Sequence, residues 1–186
     1  MTVDPIPGEL RNYFEHSTVA LSLGAADGDH DLRLTNHRFH QLTGYSGVEV
    51  IGRNCRFLQG ESRNDEARSQ IREFLAENRR SNVRTPIVNF RKNGQPFVNL
   101  LFMTKLRAQS GALLYIFASQ FDISRTQPGL LADYDERLGN TLAGLSPLLA
   151  NSGLVVEGSL MTIANAAATI AQAKLTLAQL DRGHLL

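Results

Sequence analysis

Residues 86–122 constrain the fold more tightly than any other part of the chain. Three apolar runs, Pro86 to Arg91, Phe97 to Leu106 and Ala112 to Asp122, read as strands. They are separated by Lys92-Asn93-Gly94-Gln95 and Gln109-Ser110-Gly111, where glycine supplies the positive φ of a hairpin turn. Runs joined so closely pair antiparallel, and a three-strand meander is the expectation.

Two more strands stand upstream, Val19 to Leu23 and Leu32 to Thr35, with Ala25-Ala26-Asp27-Gly28-Asp29 as the turn after the first. Phe39, Leu42 and Tyr45 suggest a brief helix broken at Gly44, and Val48 to Ile51 another closed by Gly52. Asn64 to Asn78 is a longer helix, with Ala67, Ile71, Phe74 and Leu75 on one side. Strands, a helical block and a meander make an α+β fold: a five-stranded antiparallel sheet with helices on one face.

The remainder of the chain is helical at both ends. Leu10, Tyr13 and Phe14 follow Pro7-Gly8 and are spaced for a short apolar turn, a cap over residues 1–18. A boundary falls at Gln127-Pro128-Gly129, leaving 19–127 as the central domain. Residues 128–186 form a helical extension in two stripes. Leu131, Tyr134, Leu138, Leu142, Leu145 and Leu149 form the first; Leu160, Ile163, Ala167, Ile170, Lys174 and Leu177 form the second, after a break at Asn151-Ser152-Gly153. A C-terminal helical hairpin is the simplest arrangement, its apolar faces buried on the domain or on another chain.

Charge narrows the function. Nineteen Lys and Arg against 18 Asp and Glu leave a net +1, too balanced for a strongly basic nucleic-acid binder. The helical extension carries only Arg137, Lys174 and Arg182 as cations, too few for DNA phosphate contacts. No apolar run is long enough to span a membrane, and the first ten residues have no signal-peptide core, so a cytoplasmic protein is expected. A single cysteine, Cys55, offers neither a disulfide nor a cysteine-based metal cluster.

The densest stretch is Gly52-Arg53-Asn54-Cys55-Arg56-Phe57-Leu58-Gln59-Gly60. A lone cysteine in such a turn can be a small buried residue and nothing more. The strands argue for more. Residues two apart on a strand share a face, so Asn89 lies with Ile87, Asn99 with Leu101 and Met103, and Gln120 with Ile116 and Ala118. Three carboxamides among apolar side chains need partners, because each costs about 1–3 kcal/mol if buried without one. A planar heterocycle rich in N–H and C=O groups would supply them. Arg56 beside the cysteine and Arg72 on the long helix suit a phosphate, although surface arginines are commonly just solvated.

With those residues in view, the chain resembles the LOV (light, oxygen, voltage) branch of the PAS fold, from about Val19 to Ile123. The resemblance is carried by residues 52–60, by Asn36-His37-Arg38-Phe39 and Thr43-Gly44-Tyr45 upstream, and by Ile71-Arg72. It continues through Asn89-Phe90-Arg91-Lys92-Asn93-Gly94, Phe97-Val98-Asn99-Leu100-Leu101 and Gln120-Phe121-Asp122. It implies a blue-light photoreceptor in which the Cys55 thiol adds reversibly to flavin C4a, with the proton going to N5. Arg56 and Arg72 would hold the ribityl phosphate, which favours FMN over riboflavin or FAD. Asn54 and Gln59 would contact the ribityl chain or ring edge, and Asn89 and Asn99 the pyrimidine edge. Gln120 would be the hydrogen-bond switch near O4 and N5, while Leu58, Ile71, Leu101, Met103, Ile116 and Ala118 would form the apolar cage. Departures from the family pattern are Glu61-Ser62-Arg63-Asn64, Arg68, Val98 and Ala118.

No enzymatic activity is expected, since neither a cysteine-hydrolase signature nor a phosphate-binding loop is present. The alternative is a PAS-type redox or ligand sensor that uses flavin without a light role. The partners expected are a second copy in a light-dependent homodimer, its sign left open, and an unidentified downstream protein, with no nucleic acid and no membrane.

Overall fold

A computed structural model describes residues 6–76, 80–158 and 166–183. Its centre is an antiparallel sheet of β1 (Ala20–Ala25), β2 (Leu32–Thr35), β3 (Asn82–Phe90), β4 (Pro96–Ala108) and β5 (Leu113–Gln120). The strands lie in the order β2-β1-β5-β4-β3. The meander has the expected pairing, with Ile87 opposite Asn99 and Met103 opposite Ala118. Strand β3 begins four residues before Pro86. The proline is tolerated because β3 is an edge strand, where its missing N–H breaks no second ladder.

A sixth strand joins the five. β6 (Leu154–Val156) pairs with the Leu106–Ala108 end of β4. It covers the part of the β4 edge that β3, paired only as far as Thr104, leaves open. The break at Asn151-Ser152-Gly153 therefore opens into a strand, so the two C-terminal helices are not joined by a simple turn.

One sheet face carries the connecting helices α2 (His37–Thr43), α3 (Gly47–Val50) and α4 (Asp65–Ala76), with a 3₁₀ turn over Cys55–Gln59. Asn36 fixes where this layer starts. Its Oδ1 accepts from the backbone N–H groups of Leu21 and Phe39, and its Nδ2 donates to the carbonyls of Phe14 and Val19.

The other face is apolar, with Leu21, Leu23, Val98, Leu100, Phe102, Leu106, Tyr115 and Phe117 buried. It is covered by α1 (Gly8–His16), α5 (Pro128–Asn151) and α6 (Ala166–Gly183). Helices thus lie on both faces. Leu131, Tyr134, Leu138, Leu145 and Leu149 are buried and Leu142 is half-buried, on the chain's own sheet. Leu10 and Phe14 join the same core. A second subunit is not needed to keep this stripe dry. The stripe of α6 is rotated from the expected one: Ile170 and Ala173 are buried, while Ala167 and Lys174 are exposed. Leu160 and Ile163 lie outside the described residues, as does His184.

Polar contacts set the register of α5. Tyr134 OH and Ser119 Oγ on β5 are 2.7 Å apart, and Asp135 pairs with Arg84 on β3. Tyr13 OH donates to the Thr141 carbonyl at 2.7 Å. A Cβ at Gly144 would sit 2.7 Å from that same hydroxyl, so glycine lets α1 lie close.

Candidate functional site

The 3₁₀ turn is built by its own sequence. Asn54 caps it, its Oδ1 accepting from the Arg56 N–H at 2.8 Å while Nδ2 is tethered to the Asp29 carbonyl. Gly60 ends it at φ +51°, where a Cβ would lie 2.9 Å from the Phe90 ring. Asn64 then docks α4 on the sheet, its Oδ1 accepting from Val88 N and its Nδ2 donating to Val88 O. Cys55 is held between these fixed points.

The turn, α4 and the inner face of the sheet enclose a cavity of about 360 Å³, within the range of small-molecule sites. Among its lining residues are Asn54, Cys55, Arg56, Gln59, Ile71 and Arg72 from the helical side. Asn89, Asn99, Leu101, Met103, Ile116, Ala118 and Gln120 line it from the strands. Leu58 does not. It is buried instead with Ala20, Leu32, Phe39 and Val50.

The carboxamides are less needy than their burial suggests. Asn99 Nδ2 donates to Asn89 Oδ1 at 3.0 Å, and Asn99 Oδ1 accepts from Phe121 N at 3.1 Å. Asn89 Nδ2 donates to the Val88 carbonyl at 3.0 Å. Each amide retains a second N–H or lone pair for a ligand. Gln120 is the exception: Nε2 donates to Ser22 Oγ at 2.9 Å, but Oε1 is buried without a partner.

Charge concentrates at the rim. Arg56 is ion-paired with Asp29 and Arg68 donates to Gln59 Oε1 at 2.9 Å, while Arg72 is exposed. Burial pushes the Cys55 thiol up to about 12, so its proton stays on sulfur at neutral pH. Apolar walls, spare amide capacity on one side and guanidinium groups at the mouth fit an elongated molecule with a flat polar heterocycle and an anionic end.

Four polar lining residues escaped the sequence reading, Ser22, Asp29, His30 and Arg68, as did apolar Leu32, Leu75 and Ile87 and the glycine at 24. Ser22 lies two residues from Ala20 on β1, so alternation could have marked it. Asp29 and His30 sit in a turn whose path no periodicity reports.

Comparison with known proteins now decides the family. The PAS domain model matches residues 26–125. The chain belongs to the PAS family. Within it, this PAS protein is of the LOV type. The Rhodobacter sphaeroides LOV protein superposes with a TM-score of 0.69 at 29% identity, over 92% of this chain and 89% of that one. The RsLOV d2 variant gives the same TM-score and coverage at 32% identity. A blue-light-activated histidine kinase of Rhizobium johnstonii is 38% identical over 119 residues, 59% of this chain. That stretch is only 34% of the kinase, about a third of its length. Among the described residues of this LOV protein, no helix is long and apolar enough to cross a membrane, and no group of three or more His, Cys, Asp or Glu could hold a metal ion.

Proposed function

We propose that this LOV protein senses blue light through a flavin bound in the 360 Å³ cavity, with Cys55 as the reacting thiol. One observation carries the reading: Cys55, Asn89, Asn99 and Gln120 all line one cavity whose mouth holds Arg56, Arg68 and Arg72. The relatives, a blue-light-activated histidine kinase and LOV proteins, support it.

A bound flavin supplies a light-excited ring with an electrophilic carbon. The chain supplies the rest. Cys55 would supply the thiol whose sulfur adds to that carbon and whose proton the ring takes up, so no outside oxidant is needed. Burial that holds the thiol protonated keeps the needed proton on sulfur until the step occurs. Asn89 and Asn99 would offer their spare donor and acceptor to the pyrimidine edge, and Gln120 would bring its unpaired Oε1 to the same cavity. Ile71, Leu101, Met103, Ile116 and Ala118 exclude water, while Asn54 and Gln59 steady the chain between ring and anion.

FMN is the flavin this reading assigns, because a phosphate monoester matches Arg56 and Arg72 by bidentate hydrogen bonding. Signalling then runs from Gln120 to the helices on the other sheet face. Light-dependent self-association belongs to the same reading. Its contacts would be apolar residues left exposed, Leu130 on α5, Val155 on β6 and Leu175 on α6. Purification followed by release and mass analysis of the bound chromophore tests the assignment. FMN is expected, and Arg72→Ala should weaken FMN far more than riboflavin. A flavin-free protein that cannot be loaded overturns the reading.

A further inference from the structure

We propose that Ser22 is the positioning residue for Gln120, a hydroxyl that can partner either end of the reversing amide. The inference rests on the flavin reading above and assigns a role to a β1 residue outside that set.

Ser22 stands opposite Ala118, and Gln120 opposite Ala20, so the two side chains are diagonal neighbours on the cavity face. Both are buried, and Gln120 Nε2 donates to Ser22 Oγ at 2.9 Å. Ser22 is the only hydroxyl among the residues lining the cavity.

A serine hydroxyl both accepts and donates, and it rotates freely to do so. With Nε2 toward Ser22, the hydroxyl accepts, and Oε1, the other end of an amide that lines the cavity, has no protein partner. With the amide reversed, Oε1 faces Ser22 and the same oxygen donates to it, while Nε2 turns to the ligand. The protein-side hydrogen bond is kept in both orientations. The choice between them is then left to whether the ligand atom facing Gln120 is an acceptor or a donor. Alanine at position 22 removes this support from both orientations. Threonine restores it.

The test uses the full chain loaded with FMN, labelled with ¹⁵N and ¹³C at glutamine side chains, as wild type, Ser22→Ala and Ser22→Thr. Flavin absorption first establishes that each variant is loaded and bleaches in light. In wild type and Ser22→Thr, the Gln120 amide bands should shift between dark and light, in infrared difference spectra. In Ser22→Ala the Gln120 amide bands should leave their wild-type positions in both dark and light, and the return to the dark state should change by about three- to tenfold, the worth of one neutral hydrogen bond. The Nε2 proton resonances of Gln120 in flavin-free protein should also move in Ser22→Ala and return in Ser22→Thr. A Ser22→Ala protein that bleaches with wild-type amide bands in both dark and light overturns this role and leaves the flavin reading intact. Wild type that neither loads nor bleaches overturns both.

Discussion

The hydroxyls of Ser119 on β5 and Tyr134 on α5 lie 2.7 Å apart, and Ser119 is the chain neighbour of Gln120 on the opposite sheet face. The Tyr134 ring is also stacked on Phe121, with centroids 4.2 Å apart and 14° between planes. Residues 119 to 121 therefore join the cavity to the long helix through one strand end. Burial holds the Tyr134 phenol up to about 12, so the contact stays a neutral hydrogen bond across physiological pH.

Tyr134→Phe removes that hydroxyl and leaves Ser119 Oγ buried. Stability should fall by about 1–2 kcal/mol, read from the urea midpoint. Flavin loading should be unchanged, whereas light-induced changes in amide exchange along α5 should shrink. Undiminished exchange changes would show that this contact carries no signal.

Asp135→Ala removes the carboxylate paired with Arg84, whose side chain is only 2% exposed. The pair is buried on the arginine side only, so the loss should be about 1–3 kcal/mol, and the double change Arg84→Met with Asp135→Leu should recover most of it. Urea unfolding of the three variants checks this, and a single-variant loss below ~1 kcal/mol would contradict it.

Asn36→Ala leaves two backbone N–H groups and two carbonyls without the side chain that joins α1, β1 and α2. A loss of at least about 3 kcal/mol is expected from several unsatisfied groups. Thermal unfolding measures it, and Asn36→Asp should be intermediate because it keeps only the acceptor half.

How the chain would read from sequence alone depended on the kind of signal each residue carries. Strand alternation marks Asn89, Asn99 and Gln120 as sharing faces with apolar residues, and the meander turns are written in Gly94 and Gly111. Leu58 misleads because its apolar partners, Ala20, Leu32, Phe39 and Val50, come from four other elements that only the tertiary fold brings to the turn. Neither could β6 be read: three residues after a glycine break become a strand only because the β4 edge is open there. The apolar stripe of α5 was visible, but its partner, the outer sheet face, is a property of the tertiary fold. Satisfaction of Asn89 by Asn99 likewise depends on register across the strands, which fixes which amides meet.

Cys55 gives the pH dependence. Its thiol is pushed from 9.0 up to about 12 by burial, so the folded state keeps the proton longer than the unfolded one. Stability is therefore independent of this group below about pH 8 and falls as pH rises from 9 toward 12, because only the unfolded chain releases the proton there. Since only the thiolate alkylates, iodoacetamide at pH 8 should react with the native protein at least about 100-fold more slowly than with the urea-unfolded chain. Comparable rates would mean the thiol is not desolvated.

Absorption of the purified full chain before, during and after blue illumination, wild type beside Cys55→Ala, tests the central claim most directly. The account predicts a structured blue flavin band in both proteins, with reversible bleaching in the wild type alone. A chain with no flavin band, or a Cys55→Ala protein that bleaches and recovers as the wild type does, would contradict it.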